Sequence, residues 1–269
     1  MLAACRLGVT VLVLGWLSVG PGLAAEPAPA PALEPKPLRA DKRAEKRVLI
    51  VTGVDIHKWQ KTAPLLAGAI DVDPRLAVDV VETPRFLASP RLADYETIVL
   101  HFKDDKKSDP GPDARENLRK TVGEAGKGLV LVHFACGAFQ GWDEFVKLAG
   151  RIWNPKFRAH DPRGTFEVRI ADPDHPITKG MEAFETLDEL YTCLDGQTPI
   201  HVIAQATSKV DKKDYPMAFV LQYGKGRVFH CVLGHDEKAF EAAGVKELFR
   251  RGTAWAAGLP LRAAGEGLP

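Results

Sequence analysis

The chain has 269 residues, with 36 Lys and Arg set against 35 Asp and Glu for a formal net charge of +1. So even a balance excludes partners that need a broad basic face, such as nucleic acid or an anionic membrane surface. Four cysteines are too few for a disulfide-built scaffold.

Residues 1–25 carry one basic residue, Arg6, no acid, an apolar run from Leu7 to Leu17 and a small-x-small end at Gly22-Leu23-Ala24 or Ala25. This is the pattern of a secretory signal peptide, too short and wrongly flanked to stay as a stable membrane anchor. Leu2-Ala3-Ala4-Cys5 imitates a lipoprotein cleavage box but precedes the apolar run. The expectation is an exported protein, periplasmic or extracellular, whose net charge falls to zero once Arg6 is removed. Residues 26–46 alternate Ala with Pro and then turn charged, a composition that makes an extended linker. Residues 47–260 are long enough for one sizeable domain, and 261–269 read as a flexible tail. Of the cysteines beyond the leader, Cys193 and Cys231 each follow an apolar segment and are the pair placed to bridge.

Within the domain, Arg47 to Gly53 predicts a strand and Lys58 to Ile70 has helical spacing. Strands follow at Leu76–Val81 and Tyr95–Phe102. Asp109-Pro-Gly-Pro-Asp113 is turn chemistry that launches a helix to Gly126, followed by a strand at Gly128–His133 and a helix at Trp142–Leu148. Strand and helix alternating in this way imply crossover units and a mainly parallel sheet. The rhythm then changes. Thr165–Ile170 alternates, Gly224-Lys225-Gly226 joins Tyr215–Tyr223 to Arg227–Leu233 as a hairpin, and Glu237–Ala257 predicts a closing helix.

Three apolar runs stop at a histidine: His101, His133 and His235. The carboxyl ends of parallel strands form the ligand crevice of an open α/β sheet, so these imidazoles belong to one polar site. His235 and Asp236 follow the Gly234 turn, and Asp236 also suits a helix N-cap. His133 opens the strand-to-helix turn Phe134-Ala-Cys-Gly-Ala138, where hydrolases place a nucleophile. Cys136 is the evident thiol there, but it lacks the glycines two places either side that a strained elbow needs, and a small buried Cys is the commoner role. Asp188-Glu189-Leu-Tyr191, in an irregular stretch, offers acid or base chemistry and a stacking ring. His160 lies in a loop within reach of the crevice. Trp142 and Trp153 flank these segments, and their ordinary role is core packing. Asp55 and His57 follow the first strand. His230 reads as a core residue, His175 as part of a turn, and His201 as incidental.

With these segments in order, the chain resembles the ThuA-like (trehalose utilisation) family, which shares the fold of the class I glutamine amidotransferases. The resemblance is carried by Gly126-Lys-Gly-Leu-Val-Leu-Val-His-Phe-Ala135, Trp142-Asp-Glu-Phe145 with Gly150-Arg-Ile-Trp153, His160, and Asp174-His-Pro-Ile-Thr178. It continues through Phe184 with Asp188-Glu-Leu-Tyr191, Pro216-Met-Ala-Phe219, Tyr223-Gly-Lys-Gly-Arg-Val-Phe229 and Gly234-His-Asp236. Gly126-Lys127-Gly128 departs from the family's doubled glycine. The resemblance implies a flavodoxin-like, three-layer α/β sandwich with a C-terminal β-hairpin, no amidotransferase nucleophile, and a link to disaccharide and 3-keto-sugar catabolism. Carried over, it marks His133, Glu189, Tyr191, His235 and Asp236, with His160.

The leading expectation is an exported enzyme (hydrolase, lyase or isomerase) acting on a small-molecule sugar or keto-disaccharide. In it His133 and His235 polarise or deprotonate the substrate, Glu189 is general acid or base, and Asp236 orients His235. Tyr191, His101, His160 and Trp142 would contact the substrate. A divalent metal is left open, with His133, His235 and Glu189 as candidate ligands, as is a homo-oligomer. The competing expectations are a non-catalytic carbohydrate-binding module and a cysteine hydrolase using Cys136.

Overall fold

Val48 to Val51, Ile98 to Leu100 and Leu129 to Val132 are apolar at every position, so neither face of these strands can meet water, and all eleven residues are fully buried. The computed structural model describes residues 34–54 and 57–262; the expected signal peptide, residues 26–33 of the linker, Asp55, Ile56 and residues 263–269 lie outside them. The strands are β1 (Lys36–Pro37), β2 (Lys46–Val51), β3 (Leu76–Val81), β4 (Thr97–Leu100), β5 (Gly128–Val132), β6 (Gly164–Ile170), β7 (Phe184–Asp188), β8 (His201–Thr207), β9 (Asp214–Tyr223) and β10 (Gly226–Cys231). The helices are α1 (Trp59–Asp71), α2 (Pro112–Gly123), α3 (Asp143–Ala149) and α4 (Ala243–Ala256).

All ten strands form one sheet in the order β1-β3-β2-β4-β5-β10-β9-β8-β6-β7. The run from β3 to β10 is parallel, with Ile50, Val99, Val130 and Phe229 in register across it. The other pairings, β1 with β3 and the whole run β10-β9-β8-β6-β7, are antiparallel. The sheet is therefore mixed, with more antiparallel than parallel pairings, and the expected mainly parallel sheet is corrected. The cause lies in the connections. A parallel return needs a crossover of a dozen or more residues, whereas β8 and β9 are joined by residues 208–213 and β9 and β10 by Gly224-Lys225. The hairpin at that second turn is as expected.

Alternation along β2 shows how the layers form. Val48 and Ile50 pack with Leu66 and Ile70 of α1 and Leu248 and Phe249 of α4. Leu49 and Val51 face the other way, onto Leu118 and Val122 of α2 and Phe145 and Leu148 of α3. Helices thus cover both sides of the parallel half, and only its edges remain to hold a ligand.

Three further expectations change. The closing helix is broken: a 3-10 turn at Ala239–Glu241 puts Phe240 into the core against Phe249, and extended Ala242 precedes α4. Cys193 and Cys231 do not pair; Cys231 is buried within β10, and the Cys193 Sγ lies 3.5 Å from the Tyr215 hydroxyl. The stretch before Glu189 is not irregular, because β7 runs through it and pairs with β6. Among the described residues, no helix is long and apolar enough to cross a membrane.

Candidate functional site

Adjacent strands β5 and β10 end side by side, Cys231 opposite Val132, so the residues that follow emerge at one edge. His133 takes a left-handed conformation, φ +47°, directly after β5. A non-glycine residue held there costs about 1–3 kcal/mol and persists only where its surroundings enforce it. Here its ring is fully buried and its Nδ1 lies 2.8 Å from the Val232 carbonyl oxygen. That contact needs Nδ1 to carry a proton, which turns Nε2 toward the site. The strand-to-helix turn expected of this segment is present, and its strained residue is His133, not Cys136. Cys136 lies three residues on, fully buried, and burial pushes its thiol up to about 12. It is no thiolate nucleophile at neutral pH.

Beyond β10 the chain turns at Gly234, φ +111°, a backbone angle that favours glycine. The turn is fastened by Asp188 at the end of β7, whose carboxylate oxygens accept from the backbone N–H groups of Gly234 (2.7 Å), His235 (3.2 Å) and Glu189 (2.8 Å). The result is a cluster. The His235 Nδ1 stands 3.3 Å from the His133 Nε2 and 3.2 Å from a Glu189 oxygen, which is itself 3.6 Å from the His133 Nε2. His57, from the loop after β2, completes it, its ring 4.7 Å from His235 and 5.2 Å from His133 and stacked on Phe134 at 4.5 Å. One donor atom from each of His57, His133, Glu189 and His235 lies within 4.8 Å of the others.

Electrostatics separates the roles. Burial works to raise the Glu189 carboxyl, but hydrogen bonds and charge from His133 and His235 outweigh it and hold the group well below the usual range. The hydrogen bond that His235 donates to Glu189 raises His235 in turn, against burial. Glu189 is therefore an ionised base or anionic ligand, not an acid.

Three members of the cluster open onto a cavity of about 340 Å³, lined by His57, His160, Glu189 and His235, with Trp153 and Tyr191 among its walls; His133, expected there, is fully buried and does not line it. His160 and Tyr191 sit opposite each other across an isolated antiparallel bridge, and the His160 Nε2 is 3.7 Å from Glu189. Lys103, at the rim, stands 4.2 Å over the Trp153 ring. A larger cavity of about 660 Å³, lined by Trp59, Arg85 and Asp104 among others, shares Lys103, but the imidazoles are in the smaller one.

Several expected contacts are corrected. His101 does not line the cavity: it is fully buried, its ring nitrogens 3.0 and 3.2 Å from the hydroxyls of Thr52 and Thr62. Trp142 packs on Phe139 and Phe145 instead. Asp236 does not orient His235; it pairs with Arg163 at 2.6 Å and accepts from the Lys238 N–H. Asp188 holds the turn in its place. His201 pairs with Asp172 at 2.8 Å and stands edge-on to His175, neither of them a cavity residue. Of the two tryptophans that flank the site segments in sequence, Trp153 is the one in the cavity wall, and Lys103, two residues after His101, reaches the cavity that His101 does not.

The ThuA family, described as trehalose utilisation, matches the chain over residues 47–256. The chain belongs to that family. A ThuA-like protein from Parabacteroides merdae is similar at 23% identity, over 83% of this chain and 94% of that one, with a TM-score of 0.72. Another from Bacteroides uniformis shows 17% identity over 82% and 95%, with a TM-score of 0.62. A glutamine amidotransferase from Thermotoga maritima aligns over 71% of this chain and 76% of its own at 16% identity, with a TM-score of 0.45. No curated protein matches the chain.

Proposed function

We propose that this ThuA-family chain is an exported enzyme of sugar or keto-disaccharide catabolism, with its reaction centre at His133, Glu189 and His235. One observation carries the reading: these residues, from segments far apart in sequence, meet within 3.6 Å, and two of them, Glu189 and His235, line a cavity while His133 is fully buried. The family description supports the sugar class, and the composition of residues 1–25 supports export. A keto-sugar carries an acidic C–H beside its carbonyl. Glu189, ionised, is suited to take that proton, while protonated His235 gives one to the carbonyl or leaving oxygen. Tyr191 and Trp153 offer faces for the ring, and His160 a second proton carrier.

The test uses the full chain recovered from an exporting host, where intact mass should show a first residue at Glu26. Incubated with a 3-keto-disaccharide, it should release product. Glu189→Gln and His235→Ala should cut turnover by roughly 10²-fold or more with the melting curve kept, and Cys136→Ala should leave it intact. Saturable binding without turnover would establish the binding module instead. Activity lost in Cys136→Ala alone would establish the cysteine hydrolase.

A further inference from the structure

We propose that His57, His133, His235 and Glu189 are the ligands of one divalent transition-metal ion of the zinc type. This goes beyond the reaction above, since it holds whether or not a sugar is turned over.

The first ground is distance. Zinc bonds nitrogen and oxygen at about 2.0–2.2 Å in a tetrahedron, which sets neighbouring donor atoms roughly 3.3 Å apart. The three measured edges among His133, His235 and Glu189 are 3.2, 3.3 and 3.6 Å, and the fourth donor, on His57, lies within 4.8 Å of the rest.

The second ground is what stands behind the donors. A metal-bound His usually gives its other ring N–H to a backbone carbonyl or carboxylate, which fixes the tautomer and aims the lone pair. His133 does so through Nδ1 to Val232. Asp188 fixes the His235 backbone and the Glu189 N–H together, so two donors are set by one buried carboxylate.

The donor set decides the class of ion. Three imidazoles with a single carboxylate suit zinc, iron, nickel or copper, whereas calcium and magnesium want mostly oxygen. Three of the four ligands, His57, Glu189 and His235, also line the cavity, so an ion there would face a ligand with adjacent hydroxyl or keto oxygens.

The experiment is to strip the purified full chain with a chelator and titrate it with Zn²⁺, following heat of binding, metal content and melting temperature. We expect one ion per chain and a higher melting temperature. Affinity should fall by roughly 100-fold or more in His235→Ala and in the near-isosteric Glu189→Gln, and stay unchanged in His201→Ala. Glu189→Gln keeps the readout if His235→Ala fails to fold. No stoichiometric uptake, or uptake unaltered in Glu189→Gln, overturns the site. The two readings fail separately: a chain that binds zinc and turns over no sugar leaves this one standing, and a chain that turns over sugar but takes up no zinc leaves the reaction standing and removes this one.

Discussion

Asp188 and Glu189 are neighbours with opposite surroundings. Glu189 faces imidazoles, which hold its carboxyl low, while burial pushes the Asp188 carboxyl up against the pull of three backbone N–H donors. In Asp188→Asn one acceptor oxygen becomes an NH₂ group directed at N–H donors. A buried polar group left unpaired costs about 1–3 kcal/mol, so this variant should lose about that much in urea unfolding and should also weaken whatever His235 does. Unchanged stability would mean the turn does not depend on Asp188. The same residues show what the sequence could and could not tell. Strand-end placement led to His133 and His235, because an apolar run that stops at a polar residue delivers it to an edge; Glu189 came instead from the paired acids beside Tyr191 and from the family resemblance. It failed for His101, which ends its strand but meets Thr52 and Thr62. It failed again for Asp236, where adjacency in sequence stood in for adjacency in space.

Among the elements, α4 approaches the sheet more closely than a side chain allows. A Cβ at Gly252 would lie 2.2 Å from the ring of Phe229 in β10. Gly252→Ala should therefore destabilise by about 1–3 kcal/mol through overpacking, although alanine is the better helix former by nearly 1 kcal/mol. Phe229→Leu, costly alone, should recover part of that loss in the double variant, a non-additivity a double-mutant cycle measures. Additive losses would show that the contact is relieved elsewhere. The centre of the parallel half was legible because β2, β4 and β5 each hold a doubly buried apolar run bounded by polar residues. The antiparallel half was less so: β7 has a half-exposed, polar-rich sequence, Phe184-Glu-Thr-Leu-Asp188, and its partner is fixed by the fold around it, not by its own pattern.

For the molecule as a whole, the residue that should shape the acid side of the stability curve lies outside the site. His230, in mid-sheet, is fully buried, with Nδ1 on the Ala149 carbonyl oxygen and no hydrogen-bond partner among the described residues for Nε2. Burial lowers its pKa from 6.5 to about 4. Above pH 6.5 the ring is neutral whether the chain is folded or not, and contributes no slope. Between 6.5 and about 4 the unfolded chain takes a proton that the native one refuses. Stability then falls with pH by up to ~1.4 kcal/mol per unit, roughly 3 kcal/mol in all. His235 acts in another window: its pKa is raised, so its contribution is whole below the unfolded value and fades only as pH rises through the folded one. The depressed carboxylates, Asp73 among them, lose theirs lower down, as pH falls through the carboxylate range. The interval just below pH 6.5 thus belongs to His230 together with His175, whose pKa burial and the His201 charge also lower, and His230 is the one whose share extends down to about 4. Urea unfolding of the chelator-treated protein across it should show the slope, and His230→Phe, which keeps a ring against Phe219, should flatten it. An equal slope in both proteins would mean that His230 takes up its proton in the folded state as readily as in the unfolded one.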